Sequence, residues 1–268
     1  MKLIKMIHRA APIALSCALL FTHSSMSEAQ ADARRPAANV LLVHGAWVDG
    51  SSWSSVIARL QSKGFHVTSV QIPLTSLAED VAATQRALAL VDGQVILVGH
   101  SYGGVVITQA GADPKVKGLV YIAAFAPDAG ESALSLLKSS PVESPAASQV
   151  VPDSAGFTKI SRKGIDEDFA EELAPREKAI LFSTQVPTSA PSALAVPVTD
   201  PAWKSKPSWT LITTRDRVIP FELQSMMAQK IGAQVTTVPA SHLVLLAHPQ
   251  DVASVIEQAV HATDQSQQ

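Results

Sequence analysis

Ser101 stands between two glycines in Gly99-His100-Ser101-Tyr102-Gly103, directly after the apolar run Val95-Ile96-Leu97-Val98. A serine carried from a strand into a helix by a tight Gly-x-Ser-x-Gly turn is held at the edge of a sheet, with the positive end of the helix turned toward it. The chemistry suited to such a serine is nucleophilic attack. Its hydroxyl is too weak an acid to attack an ester unaided, so a histidine must take the proton and a carboxylate must hold that histidine in the right tautomer. Glycines also cradle phosphates, but the Lys-Ser/Thr ending of a phosphate-binding loop is missing here.

Three of the eight histidines, His242, His248 and His261, follow Ser101. His242 lies in Ser241-His242-Leu243, in a loop after the last expected strand, whereas His248 precedes Pro249 at a helix start and His261 lies in the tail. His242 is therefore a candidate base. A candidate acid is Asp216, in Thr214-Arg215-Asp216-Arg217-Val218-Ile219-Pro220 at the end of a late strand. Its competing reading is a helix-capping aspartate paired with Arg215 or Arg217. Asp200 is remote from any strand end, and His100, beside the nucleophile, is read as packing.

These residues need a scaffold that brings loops far apart in sequence to one edge. From Asn39 onward, short apolar runs alternate with segments of helical period, the pattern of a mostly parallel α/β sheet with helices on both faces. Strands are expected at Val40–Val43, His66–Ile72, Val95–Val98, Gly118–Phe125, Trp209–Thr213 and Gln234–Val238. Trp53, Val56, Ile57 and Leu60 recur at helical spacing and stop at Gly64. Further helices are expected at Glu79–Leu90, Gly103–Ala112, Phe221–Ile231 and Asp251–Val260. One stretch, about 127–207, breaks the alternation: it holds ten of the seventeen prolines and one helical patch, Ile165 to Phe182. A loop of that length is expected to be a small cap over the sheet edge, with a partly disordered linker as the other reading.

A chain of 268 residues, 47% hydrophobic, can bury one well-cored domain. Its formal charge of −2, with no cluster of Lys and Arg, gives no means of neutralising a phosphate backbone, and a nucleic-acid partner is not expected. Lys2, Lys5 and Arg9 precede an apolar run from Ala10 to Phe21, and a polar stretch then ends in Ala29-Gln30-Ala31, the three regions of a secretory signal peptide over residues 1–31. The run is well short of the roughly 20 residues that span a bilayer, so no stable membrane span is expected. Cleavage after Ala31 removes three cations and one anion and takes the charge from −2 to −4. The sole cysteine, Cys17, lies inside that run, which leaves no disulfide and no thiol nucleophile. A lipidation site at Leu15-Ser16-Cys17 fits poorly, because apolar residues continue past it. A secreted or periplasmic location is the expectation.

With the elbow, the chain carries Leu42-Val43-His44-Gly45-Ala46-Trp47 after the first strand, the Asp216 loop after a late one and Ser241-His242-Leu243 near the end. In these motifs and their order it resembles the α/β-hydrolase fold family of serine hydrolases, from about Asn39 to Val260 and least in the cap. The resemblance implies the order Ser, acid, His, with Ser101 as nucleophile, His242 as base, Asp216 as acid and Asp128, in Ala126-Pro127-Asp128, as the reserve that some members use. It also implies an oxyanion hole made by the backbone N–H groups of Ala46 and Tyr102, and a structural part for His44. The serine argues against haloalkane dehalogenases and epoxide hydrolases, which use aspartate at the elbow. Plant methyl esterases, hydroxynitrile lyases and bacterial pyrethroid hydrolases are similar, but the threonine and lysine of the lyases are replaced here by Gly45 and Leu243. The expected activity is cofactor-free cleavage of small apolar carboxylic esters, with a non-turnover small-molecule receptor of the same fold and a lyase as alternatives. No metal is implied, since outside the three residues no His, Asp and Glu cluster has ligand spacing. Trp47, Trp53, Tyr102 and Leu243 to Leu246 suit a core as well as a pocket, so substrate-binding residues and oligomeric state stay open.

Overall fold

The buried β1 (Asn39–Val43) hydrogen-bonds in parallel to β2 (His66–Val70) on one side and to β3 (Val95–His100) on the other. β3 pairs in parallel with β4 (Val116–Ile122), and the sheet resumes with β8 (Ser208–Thr213) and β9 (Gln234–Val238). The computed structural model that shows this describes residues 38–265; the expected signal peptide, 1–31, lies outside them. The strand order is β2-β1-β3-β4-β8-β9, all parallel. Burial follows that order. β3 and β8 are buried along their whole length, because central strands of a parallel sheet are covered on both faces, whereas β2 and β9 at the edges alternate with exposed residues.

Helices α1 (Ser54–Ser62), α2 (Leu77–Ala89) and α3 (Gly103–Ala110) make the first crossovers. α1 ends where Gly64 takes φ +87°, and α2 begins where the Ser76 hydroxyl accepts the Glu79 N–H. α4 (Ala133–Lys138) and α5 (Pro175–Thr184) belong to the insertion, followed by α6 (Phe221–Lys230) and α7 (Pro249–Gln265). α7 lays Val252, Val255, Ile256 and Ala259 onto the sheet and packs against α1, while α2 packs against α3. No helix among the described residues is long and apolar enough to cross a membrane.

Between β4 and β8 the chain builds a small antiparallel sheet, β5 (Val150–Pro152), β6 (Phe157–Ile160) and β7 (Thr188–Ser189). Gln185 lengthens it: its side-chain oxygen accepts the Ile160 N–H at 2.7 Å and its amide donates to the Ile160 carbonyl at 3.0 Å, as a strand partner would. The helical patch expected from Ile165 to Phe182 is two pieces. A π-turn over Ile165–Phe169 ends at Ala170, and α5 starts afresh at Pro175. Proline cannot donate an N–H, and it bars the residue before it from the helical region; Ala174 accordingly has ψ 151°.

Candidate active site

β3 delivers Ser101 at φ +53°, a left-handed conformation that costs a side-chain-bearing residue energy and that the surroundings must enforce. Enforcement comes from hydrogen bonds to β4 and the chain after it: Ser101 N–H donates to the Ile122 carbonyl, and the Ser101 carbonyl accepts from Phe125 N–H, each at 3.2 Å. The flanking glycines are required by space. A Cβ on Gly99 would lie 2.5 Å from the Gly103 carbonyl oxygen, and one on Gly103 would lie 2.5 Å from that of Val43.

His242, fully buried, faces Ser101 with Nε2 2.9 Å from Oγ, while its Nδ1 lies 2.9 Å from Asp216 Oδ2. A carboxylate only accepts, so Nδ1 carries the proton and Nε2 is left bare to accept from the serine hydroxyl. Asp216 is immobilised: Oδ1 accepts the N–H groups of Val218 and Ile219, both at 2.8 Å, and Oδ2 accepts from Thr213 Oγ1 and Gln224 Nε2 as well as from the histidine. The expected trio therefore converges. Neither arginine beside Asp216 pairs with it; Arg217 binds Asp168 and Arg215 binds Glu172. Asp128, the reserve acid, pairs instead with Lys204 at 2.6 Å, which holds its carboxyl below the ordinary range.

His100 does more than pack. Its Nε2 lies 3.0 Å from the His242 carbonyl, which can only accept, so His100 donates there and holds the backbone of the histidine facing the serine. Its Nδ1 is buried without a partner, and burial first, then the nearness of His242, keeps the ring well below its usual pKa and hence neutral. His44 accepts the Ile72 N–H at Nε2 and sits 3.0 Å from the Gly45 carbonyl at Nδ1, a structural tie as expected; burial lowers its pKa too.

Among the described residues, neither the Ala46 nor the Tyr102 N–H donates a hydrogen bond. Tyr102 follows Ser101 and Ala46 follows Gly45, which lies against Ser101; unengaged N–H groups next to a nucleophile are the kind of donor that can receive a developing oxyanion. Tyr102 turns its hydroxyl away, to Asp80 Oδ2 at 2.8 Å, and Asp80 Oδ1 accepts the N–H of Leu74. Burial, against those two hydrogen bonds, pushes Asp80 up to about 6. Trp53, Leu243, Val244 and Leu245 are wholly buried core.

The insertion presses on this site from above. Phe169 lies on the His242 ring at 5.4 Å between centroids, and Trp47 meets Phe169 edge-on at 5.7 Å. Glu172 accepts the N–H of Ser241, next to His242, at 2.6 Å and also binds Arg215, next to Asp216. Burial alone would raise its carboxyl, but the Ser241 and Arg215 contacts outweigh it and hold it below the usual range. No group of His, Asp and Glu with metal-binding geometry occurs among the described residues. Sequence reading missed Asp80, Gln224 and Glu172, whose only signal is proximity created by the fold.

A profile of the alpha/beta hydrolase family matches residues 40–255. The chain belongs to that family. It is 39% identical over 117 residues to a carbendazim hydrolyzing esterase of Nocardioides sp. (strain SG-4G), over 37% of this chain and 47% of that protein. The chain thus spans about half the length of that relative. Salicylic acid-binding protein 2 of Nicotiana tabacum is 26% identical over 258 residues, covering 82% of this chain and 96% of that one. The crystal structure of a pyrethroid hydrolase from Sphingobium faniae JZ-2 superposes with a TM-score of 0.71 at 21% identity, over 83% of this chain and 96% of the other, a likeness of fold.

Proposed function

We propose that this alpha/beta hydrolase is a serine carboxylesterase acting on small apolar esters, with Ser101 as nucleophile, His242 as base and Asp216 as the group that orients it. The observation that carries the reading is the unbroken line Asp216–His242–Ser101, with 2.9 Å at each link. Ser101 Oγ adds to the ester carbonyl carbon while His242 Nε2 takes its proton; the carbonyl oxygen, now negative, is received by the N–H groups of Ala46 and Tyr102. Collapse expels the alcohol, protonated by His242, and leaves an acyl-serine. A water, deprotonated by the same histidine, adds to that acyl group; collapse breaks the bond to Ser101 Oγ, which takes the proton back from His242, and the acid leaves. The Asp216 carboxylate stabilises the imidazolium that forms in each half.

An apolar substrate is supported by the Phe169 ring on His242 and by the Trp47 ring that meets Phe169 edge-on. The name of the Nocardioides relative, a carbendazim hydrolyzing esterase, favours ester hydrolysis. The name of the tobacco relative favours a second reading, a small-molecule binding protein. A lyase finds no support, since a Cβ at Gly45 would lie 2.8 Å from that of Ser101 and Leu243 is buried. The signal-like composition of residues 1–31 supports action outside the cytoplasm.

The test follows p-nitrophenol release from p-nitrophenyl esters of increasing acyl length, by the purified protein and by Ser101→Ala. Many turnovers per protein, abolished in the variant, are expected. A single stoichiometric burst supports the binding protein instead, and wild-type turnover by Ser101→Ala overturns the assignment of the nucleophile.

A further inference from the structure

Trp47 follows Ala46 directly and has φ +63°, a conformation that a bulky L residue adopts only when its surroundings insist. The groups that insist come from the insertion. Trp47 N–H donates to Thr188 Oγ1 at 3.0 Å, the Trp47 carbonyl accepts the Val186 N–H at 3.3 Å, the indole N–H donates to Thr158 Oγ1 at 3.1 Å, and the ring rests on Phe169. Thr158 in turn donates to the Thr188 carbonyl at 2.9 Å, so the two threonines that hold Trp47 are tied to each other across β6 and β7. Both are buried, and Trp47 is 7% exposed. The other end of the loop is equally confined, because Gly45 lies against Ser101 and His100 with no room for a side chain.

β7 also reaches the second candidate donor. Ser189 N–H donates to the Leu74 carbonyl at 2.9 Å, Leu74 has φ +59°, its N–H is held by Asp80, and Asp80 accepts the Tyr102 hydroxyl. Two residues of one short strand thus reach the residues on either side of the oxyanion: Thr188 directly through Trp47, and Ser189 through Leu74, Asp80 and Tyr102.

We infer that the insertion, through Thr158 and Thr188 acting on Trp47, sets the aim of the Ala46 N–H, so that the oxyanion hole is complete only when β6 and β7 are docked. This rests on the esterase reading above. Thr158, Thr188 and Trp47 are positioning residues: none donates to the oxyanion itself, since the Trp47 N–H is already engaged by Thr188. A donor displaced by a fraction of an ångström loses its effect on the transition state while leaving ground-state binding almost intact.

The experiment compares Thr158→Val, Thr188→Val and Thr158→Ser with the wild type. Valine keeps the shape and removes the acceptor, and serine restores it. Turnover of a p-nitrophenyl ester is measured together with inhibition by an aryl trifluoromethyl ketone and by the corresponding carbinol. Ser101 Oγ adds to the ketone carbon, its proton passes to His242, and the ketone oxygen becomes the anion the hole must hold; the carbinol fills the same space and forms no anion. Each valine variant is expected to lower kcat about tenfold with KM little changed, to weaken the ketone by the same factor, and to leave the carbinol unaffected, with Thr158→Ser close to wild type. Equal weakening of ketone and carbinol, or kcat at the wild-type level in both valine variants, overturns the inference while leaving the esterase reading intact. If the valine variants fail to fold, Trp47→Phe, which loses the indole N–H together with part of the ring, carries the same comparison of ketone with carbinol, with Thr158→Ser as the variant that keeps the acceptor. Absence of turnover by the wild type overturns both readings together.

Discussion

Five hydrogen bonds converge on Asp216, and each of its oxygens has a fixed set of donors. An asparagine there must place its NH2 either against the Val218 and Ile219 N–H groups or against His242, where it would force the proton onto the wrong ring nitrogen. Asp216→Asn is therefore expected to cut kcat by about ten-thousandfold, checked by steady-state turnover on a protein shown by circular dichroism to be folded. Ser101, His242 and Asp216 were legible from the chain because their motifs are local and follow one another in a set order. Gln224, which also holds Asp216, was not. A glutamine one turn into a helix has no distinguishing sequence signal, and only the crossing of α6 with the strand end turns it into a partner.

The insertion leaves the sheet after β4 and returns to it at β8, and it is latched to the loops that carry His242 and Asp216. Asp168, 4% exposed at its side chain, is bonded to Arg217 at 2.6 Å, while Arg217 is half exposed. The asymmetry has a consequence. Arg217→Ala strands a buried carboxylate and is expected to cost about 1–3 kcal/mol, whereas Asp168→Asn frees a solvated guanidinium and is expected to cost less than about 1 kcal/mol; denaturant titration of the two variants ranks them. Equal costs would mean that Asp168 finds another partner. All six strands of the main sheet were readable from short apolar or alternating segments of normal length, but the insertion's own strands, two to four residues long, carry no period at all. The break before α5 was readable in Pro175 and was obscured by the apolar residues on both sides of it.

Asp80, fully buried, and Glu171, half-buried, each make the stability of the molecule depend on pH. Burial foremost raises Asp80 to about 6 and, helped by the charge of Asp216, Glu171 to about 7, from ordinary values near 4. Both bind protons more tightly folded than unfolded, so the stability they contribute is fully present below about pH 4 and is lost as pH rises through 6 and 7. Asp80→Asn and Glu171→Gln are each expected to flatten the fall of Tm between pH 4 and 8, measured by thermal unfolding at a series of pH values; an unchanged slope in both would place the pH response elsewhere. The site spans a long stretch of chain as well. Ser101 and His242 are 141 residues apart, with β8, β9 and the entire insertion between them. Because Ser101 precedes His242 by so much of the chain, the Asp216–His242–Ser101 line exists only once the strands and the insertion between them have folded. Covalent labelling of Ser101 by a serine-directed probe would then report the completion of folding, read out at one atom.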